Sequence, residues 1–364
     1  MIASLFVMNK PKKTVPVLDL FSGCGGLSLG LELAEHHQLK LKTVAAIDNW
    51  KTACETYAHN LGLEPLCSDI NSGVIQSALA GKAKPDVIVG GPPCQGFSTS
   101  GKRALDDPRN SLINEFLDAV RNLSPKVFVM ENVSGFKSFQ GGLLLEEATR
   151  LAEELGYQVH TLLLQASHFG VPQRRRRFFM IGAKCSYTDL IEEFTGISQK
   201  PAEALFSFEP KQHYDTALDP SLESWTFGDA TSDLPSIGAG ESASEYKSAP
   251  INDIQRYFRS AKQNYVADHT ARGHRPGFVE MMSYIPQGKS ALDPEINKQI
   301  PPKIRPGKGF PNSYSRIRFD LPSPTITRNF TTPSSANCIH PLENRALSLR
   351  EGARLQTFPD HYTF

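Results

Sequence analysis

Residues 87–98 read Val-Ile-Val-Gly-Gly-Pro-Pro-Cys-Gln-Gly-Phe-Ser, and this stretch decides the fold. Its three leading apolar residues predict a buried strand of a parallel sheet, the two glycines end that strand, and the two prolines stiffen the turn that follows. Cys94 therefore lies beyond the carboxyl end of a strand, where open α/β sheets bind their ligands. Free cysteines are usually small buried apolar residues. This one sits between a rigid turn and a polar loop that contains glycine, so we interpret it as an exposed nucleophile.

The overall composition is that of a globular protein without a dominant charge. The 364 residues carry 39 Lys and Arg against 38 Asp and Glu, a formal net charge of +1. A nucleic-acid partner would therefore bind a local basic patch. The six cysteines form no Cys-x-x-Cys pair, which argues against a zinc site or a disulfide framework and favours a reducing cytoplasm. We expect neither a signal peptide nor a membrane span, because the first charges follow the N-terminal apolar run and no apolar run is long enough.

The first predicted strand leads into a glycine-rich turn. Residues 15–21 are mostly apolar, and Ser-Gly-Cys-Gly-Gly separates them from an apolar helix pattern over residues 27–33. Strand, glycine turn and helix form the first unit of a nucleotide-binding α/β fold. In that unit glycines admit a ligand close to the backbone and the helix start offers free amides, although an ordinary tight turn is the alternative. Ser28 stands where a Gly-x-Gly-x-x-Gly pattern needs its third glycine, which argues against a dinucleotide site.

Acidic residues stand at the ends of three predicted strands. Asp48 follows the strand predicted over residues 41–47, and a carboxylate at that point of the fold can bind both ribose hydroxyls of a nucleoside. Asp69 ends the third short strand, and a plain surface role is the alternative for it. Glu131 follows the strand predicted over residues 126–130, at the same sheet edge as the candidate nucleophile. We interpret Glu131 as a general acid, because an unpaired buried glutamate without a function would be costly.

Four consecutive arginines, residues 174–177, precede an apolar strand pattern over residues 178–181. Such a run is normally solvated or binds phosphate. Because side chains alternate along a strand, Arg175 and Arg177 point one way and their two neighbours the other. One alternate pair of arginines can therefore face the candidate site.

After residue 183 the alternation of strands and helices is lost. Residues 184–315 are rich in Ser, Pro, Gly and polar residues, with a basic stretch over residues 256–275 and a basic loop over residues 303–312. Both suit contacts with the phosphates and grooves of a nucleic acid, and a plain polar insertion is the alternative. Residues 99–110 are also polar and lack apolar periodicity, which predicts a long loop of the kind that closes over a substrate.

Six segments carry a resemblance to one family. They are Asp-Leu-Phe-Ser-Gly-Cys-Gly-Gly at 19–26, Pro-Pro-Cys-Gln-Gly-Phe-Ser at 92–98, Glu-Asn-Val at 131–133, Gln-x-Arg-x-Arg at 173–177, and the stretches 316–327 and 348–359. In this order they resemble the DNA (cytosine-5) methyltransferases. The resemblance implies an α/β fold, the doubly wound Rossmann-like sheet of S-adenosylmethionine-dependent methyltransferases. It implies a catalytic and donor-binding domain over residues 1–183, a smaller and irregular target-recognition domain over 184–315, and a return segment over 316–364.

The resemblance also implies a role for individual residues and no metal site. The residues implied in catalysis are Cys94, Glu131, Arg175 and Arg177. Those implied in binding S-adenosylmethionine are Phe21, Ser22, Gly23, Cys24, Gly25, Gly26, Asp48, Asn49, Asp69, Ile70, Pro92 and Leu112. Those implied in contacting double-stranded DNA are Ser98, Ser100, Arg109, Arg272 and Arg275. Asn49 occupies the place of the residue that packs on the adenine, and Trp50 follows one position later, so Trp50 either serves this purpose or belongs to the core.

The implied reaction transfers a methyl group to carbon 5 of a flipped-out cytosine in a specific duplex sequence, as part of a bacterial or phage restriction-modification system. Transfer RNA is the alternative substrate, and a recognition region of well over a hundred residues favours DNA. Family members usually continue past the Phe-Pro-Asp at 358–360 with a Gly-Asn segment that packs beside the donor loop, whereas this sequence stops at residue 364. We therefore expect either a monomer or a DNA-binding subunit that needs a second chain to supply that segment.

Overall fold

A computed structural model of the chain describes residues 13–34, 39–93, 111–184, 224–259, 264–310, 312–334 and 337–364. The catalytic candidate Cys94 and the DNA-contact candidates Ser98, Ser100 and Arg109 lie outside these ranges. The chain divides into two compact units. Of the described residues, those up to 164 together with 177–184 belong to the first unit, and 165–176 together with those from 224 onward belong to the second.

The first unit alternates strands and helices, as the sequence predicts. Its strands are β1 (Lys13–Leu20), β2 (Leu39–Asp48), β3 (Leu66–Cys67), β4 (Val87–Gly90), β5 (Val127–Val133) and β6 (Tyr157–Gln165), and most of a later strand, β8, belongs here as well. Its helices are α1 (Gly26–Leu33), α2 (Lys51–Leu61), α3 (Ser72–Leu79), α4 (Ser111–Leu123) and α5 (Leu143–Glu154). A 3-10 segment, Ser134–Gly142, joins β5 to α5.

One seven-stranded sheet organises this unit, in the order β3-β2-β1-β4-β5-β8-β6. β8 spans Arg176–Lys184. The strands from β3 to β5 pair in parallel, and β8 pairs antiparallel with β5. The order reverses direction between β1 and β4, which is the point where doubly wound sheets bind ligands at the carboxyl ends of their strands. The predicted fold class is confirmed.

The core of the first unit forms where apolar strands meet apolar helix faces. Ile88 of β4 and Phe128 of β5 are completely buried and pack against Phe116 and Val120 of α4. At Gly90 an added Cβ would lie 2.5 Å from the carbonyl oxygen of Leu20. A glycine is therefore required for β4 to lie this close to β1 at the edge that carries the site.

The fifth strand is longer than predicted. β5 continues to Val133, because β8 pairs with it residue by residue as far as the pair Val133–Arg177. Glu131 therefore lies within the strand and does not follow it, which corrects the predicted end of the strand at residue 130. The arginine run is also divided, between β7 (Gln173–Arg174) and β8, so that Arg175 stands between two strands. The prediction that residues 174–177 belong to one strand with alternating side chains is therefore wrong.

The second unit contains short elements. Its strands are β7, β9 (Ser315–Arg316), β10 (Ser323–Pro324) and β11 (Asn337–Ile339), and β10 pairs with β7 and β11 with β9. Its helices are α6 (Phe227–Thr231), α7 (Asp253–Phe258), α8 (Pro276–Ser283), α9 (Pro294–Gln299) and α10 (Leu349–Arg354). Irregular structure was predicted for residues 184–315. In the part of this range that the structure describes, the helices and strands are short.

Buried charged side chains join the elements of the second unit. The guanidinium of Arg354 is completely buried, 2.5 Å from a carboxylate oxygen of Asp233 and 2.6 Å from one of Asp360. Arg345 pairs in the same way with Glu351, at 2.7 Å. Arg345, Arg354 and their partners all lie in the second unit. The residues predicted as a return segment, 316–364, thus form one compact unit with the preceding residues, and no boundary between units falls at residue 315.

Candidate active site

Glu131 and Arg177 form an ion pair at the end of the sheet where the parallel strands have their carboxyl ends. In the antiparallel register Glu131 lies opposite Phe179 and Arg177 opposite Val133, so the two side chains are diagonal neighbours on the same face. Arg177 Nε lies 2.7 Å from Glu131 Oε1, and the side chains are 20% and 24% exposed. Partial burial strengthens such a charge-assisted contact and leaves both groups within reach of a ligand.

The turn after β4 lies against this ion pair. An added Cβ at Gly91 would lie 3.2 Å from Glu131 Oε2, so the glycine allows the backbone to approach the carboxylate. Asn132 Nδ2 donates a hydrogen bond to the carbonyl oxygen of Pro92 at 3.3 Å. The structure therefore brings the segment that leads to Cys94 beside Glu131, although Cys94 itself is outside the described residues.

A loop with a left-handed backbone connects β1 to α1. Phe21, Gly23 and Gly25 have φ angles of 59°, 53° and 89°, and an added Cβ at Gly23 would meet nothing within 4 Å. Gly25 is the N-cap of α1. Because glycine has no side chain, the cap residue offers no side-chain acceptor to the first amides of the helix. A helix start of this kind attracts a negatively charged ligand group.

Asp48 holds the glycine loop from the end of β2. One carboxylate oxygen accepts a hydrogen bond from the amide of Gly23 and the other from the amide of Trp50, both at 2.8 Å. Asn49 Nδ2 donates to Asp69 Oδ1 at 2.8 Å. The structure thus brings together the predicted ribose acid, the glycine loop and the predicted adenine contacts.

Trp50 is 65% exposed, so it is not part of the core. This excludes the core, one of the two alternatives that the sequence left open for Trp50. Of the remaining donor-site candidates, Ile70 and Pro92 are buried and Leu112 is half-buried at the start of α4. Their role is still a prediction.

A buried acid below the loop was not singled out from the sequence. Asp19 Oδ2 accepts a hydrogen bond of 2.6 Å from the Ser28 hydroxyl, which in turn accepts from Tyr57 at 2.8 Å and from Thr43 at 3.1 Å. Burial raises the pKa of Asp19 to about 7. Among the described residues, the other oxygen of this carboxyl group has no hydrogen-bond partner, and neither has the buried hydroxyl of Ser22. The only signal in the sequence was an aspartate inside an otherwise apolar strand.

Three predicted site residues lie in the second unit. Arg175 Nη1 donates to the carbonyl oxygen of Ile326 at 3.4 Å. Arg272 and Arg275 are exposed, and Arg272 Nη1 donates to the Thr332 hydroxyl at 2.8 Å. Another basic residue of the predicted stretch, His269, is buried between the Ser348 hydroxyl and the carbonyl oxygen of Pro235.

Among the described residues, no helix is long and apolar enough to cross a membrane. In the same part of the chain, no group of three or more His, Cys, Asp and Glu side chains is arranged to hold a metal ion.

Comparison with known proteins places the chain beside DNA methyltransferases. A model of the family "C-5 cytosine-specific DNA methylase" matches residues 15–364. Type II methyltransferase M.DdeI of Desulfomicrobium norvegicum is 34% identical over 360 residues, which cover 96% of this chain and 79% of that protein. Type II methyltransferase M1.HphI of Haemophilus parahaemolyticus is 33% identical over 353 residues, with 95% and 78% covered. A crystal structure of a protein encoded in an E. coli prophage, assigned as a DNA modification methyltransferase, matches with a TM-score of 0.69 at 26% identity, covering 96% of this chain and 90% of that one.

Proposed function

The chain belongs to the C-5 cytosine-specific DNA methylase family, and we propose that it methylates cytosine with the ion pair and the glycine loop described above. Its activity is that of a DNA (cytosine-5-)-methyltransferase. The observation that carries the assignment of residues is the contact of Glu131 with Arg177, 2.7 Å apart beside the turn that leads to Cys94. A general acid, a cation and a nucleophile are the three groups that this reaction requires.

The loop after β1 fits the methyl donor of this family. S-adenosylmethionine, when bound, supplies the methyl group. Asp48 has the position for the ribose hydroxyls, and Asp69, already held by Asn49, has a second carboxylate oxygen available for the adenine amino group. The exposed ring of Trp50 can stack on the adenine. The start of α1 suits the carboxylate of the donor, and the unpartnered hydroxyl of Ser22 can take part in a polar contact there.

The reaction needs a nucleophile, because carbon 5 of cytosine is not reactive enough by itself. The thiolate of Cys94 adds to carbon 6, which gives the ring the character of an enamine at carbon 5. Glu131 donates a proton to ring nitrogen 3, and Arg177 donates a hydrogen bond to the ring carbonyl. After methylation, a water molecule accepts the proton of carbon 5, the bond between carbon 6 and sulfur breaks to release the thiolate, and nitrogen 3 returns its proton to Glu131, which restores the aromatic ring. We also propose a role in catalysis for Arg175.

These atoms are inaccessible in a duplex, so the target base must leave the helix at a cost of a few kcal/mol. We propose that exposed Arg272 and Arg275 contact the phosphates and that Ser98, Ser100 and Arg109 approach the DNA from the loop after Cys94. The two bacterial relatives described above are named Type II methyltransferases. We propose the same setting, modification of a specific sequence that a restriction enzyme cleaves. The family match to a DNA methylase does not favour transfer RNA as the substrate.

Substitution of Asp48 tests the donor site. Asp48→Ala should weaken binding of S-adenosylmethionine by about ten- to a hundredfold, the loss expected for one charge-assisted hydrogen bond, because Asp48 both faces the ribose position and holds Gly23. Isothermal titration calorimetry measures the affinity, and Asp118→Ala, at a surface pair with Arg121, is the matched control. Unchanged affinity in Asp48→Ala would move the ribose contact to another residue.

A further inference from the structure

Two cysteine thiols lie beside the turn that carries Asp48. Cys54 lies in α2 and is only 3% exposed, whereas Cys67 ends β3 and is exposed. Both are free thiols, and Cys67 is among the groups that act on the Cys54 thiol. The mechanism proposed above uses neither of them.

The backbone fixes this juxtaposition. β2 and β3 are parallel neighbours, with Asp48 paired to Cys67. Cys54 Sγ lies 3.5 Å from the carbonyl oxygen of Asp48, and Cys67 Sγ lies 3.9 Å from the carbonyl oxygen of Asn49. The amide of Cys54 also donates to the carbonyl oxygen of Trp50 at 3.0 Å. The two sulfur atoms therefore contact consecutive peptide groups of one turn.

We propose that Cys54 and Cys67 are a site of thiol–disulfide exchange, where a small disulfide such as oxidised glutathione converts the pair into an internal disulfide that weakens binding of the methyl donor. The effect on the donor rests on the function proposed above. Formation of the disulfide is independent of that function.

Exposure decides the order of the steps. The exposed Cys67 thiolate attacks one sulfur of oxidised glutathione, whose disulfide bond breaks and releases one glutathione thiolate. Burial, together with the neighbouring Cys67 and the carboxylates of Asp48 and Glu64, raises the pKa of Cys54 to about 12, so Cys54 reacts second. Cys54 gives its proton to the released thiolate and attacks the sulfur of Cys67, and the second glutathione leaves. Two protein thiols are oxidised and one glutathione disulfide is reduced to two thiols.

The internal disulfide would act on the donor site through the turn. Both sulfur atoms lose their protons and with them the contacts to the carbonyl oxygens of Asp48 and Asn49. Bond formation also draws the end of β3 toward α2, since bonded sulfurs lie about 2 Å apart. Asp48 is the residue whose carboxylate holds the amides of Gly23 and Trp50. A shift of this turn therefore misplaces the carboxylate that faces the ribose.

The experiment uses the full chain carrying Cys94→Ser, which removes the reactive nucleophile. The protein is equilibrated with glutathione buffers from fully reduced to fully oxidised. Non-reducing peptide mass spectrometry then measures the Cys54–Cys67 crosslink, and calorimetry measures S-adenosylmethionine affinity. We expect the crosslink to form in oxidised buffer, the affinity to fall by about tenfold, as for the loss of one charge-assisted hydrogen bond, and dithiothreitol to restore both. Cys67→Ser should bind the donor normally in either buffer, and Cys54→Ala should stop at a mixed disulfide of Cys67 with glutathione and form no internal crosslink.

Each outcome has a definite meaning. Absence of the crosslink in fully oxidised buffer, or a mixed disulfide on Cys67 that never resolves, would overturn the proposed exchange site. A crosslink that leaves donor affinity unchanged would overturn the effect on the donor. The same loss of affinity in Cys67→Ser would assign it to another cysteine. A reduced chain that binds no donor would instead overturn the proposed function, while the crosslink measurement would still decide the chemistry of the pair.

Discussion

Replacement of Glu131 by glutamine should lower the rate of methyl transfer by about a hundred- to ten-thousand-fold, the range for loss of a general acid. The side chain keeps its size, and its amide oxygen can still accept the hydrogen bond that Arg177 Nε now donates over 2.7 Å. The change removes the carboxyl group that delivers the proton, and an amide cannot replace it as a general acid. This rate loss corresponds to about 3–5 kcal/mol of transition-state stabilisation.

The effect on folding should be much smaller than the effect on the rate. The glutamine keeps a hydrogen bond with Arg177, and solvent reaches both side chains, which are a fifth to a quarter exposed. We expect Glu131→Gln to reduce the free energy of unfolding by no more than about 1 kcal/mol. The difference between a large kinetic effect and a small effect on stability distinguishes a catalytic role from a structural one.

Single-turnover transfer of a labelled methyl group into DNA measures the chemical step, and denaturant unfolding measures stability. Glu147→Gln, an exposed glutamate on α5 of the same unit, is the matched control and should behave as the wild type. A Glu131→Gln rate within a few-fold of the wild-type rate would refute the assignment of the general acid. So would a rate loss that is fully explained by loss of folded protein.

Two further predictions concern stability. Arg354→Met should reduce the free energy of unfolding by about 3–5 kcal/mol, because it removes the nearest cation from two buried carboxylates, Asp233 and Asp360. Arg256→Met, at a pair that is about half exposed, should change it by about 0–1 kcal/mol in the same urea titration. Equal effects of the two substitutions would contradict a stabilising role of the buried pairs. Asp19 should make the folded state less stable as pH rises, because burial raises its pKa from 3.8 to about 7 and the folded chain therefore binds more protons between these values. The contribution of Asp19 to the free energy of unfolding should fall by up to about 4 kcal/mol between about pH 4 and pH 7 and then stay level. Asp19→Asn should remove this component, and an unchanged pH profile in that variant would show that Asp19 ionises normally.

The sequence was sufficient to predict the parallel sheet and the edge where the site lies. Apolar runs separated by helical patterns specify alternating strands and helices, and these place Asp48 and Glu131 near strand ends. The end of β5 was not predictable, because it depends on pairing with β8, about fifty residues later in the chain. Local patterns carry no information about such a distant partner.

Buried charges were the other feature that sequence patterns could not reveal. Nothing in the sequence singled out Arg345 and Arg354 as buried, since charged side chains are almost never buried unless they are paired. One of the partners is distant in the sequence: Asp233 lies 121 residues before Arg354. Trp50 was ambiguous for a related reason, because a large aromatic residue suits both a core and a stacking surface. Only its exposure in the fold decides between these roles.

The most direct test of the central claim is methyl transfer from labelled S-adenosylmethionine into mixed-sequence duplex DNA, with Cys94→Ser as the control. We expect the wild-type chain to incorporate label at carbon 5 of cytosine, and Cys94→Ser to bind DNA equally well and incorporate none. Transfer that persists in Cys94→Ser would refute the role of Cys94, and label that appears on transfer RNA and not on DNA would refute the DNA substrate.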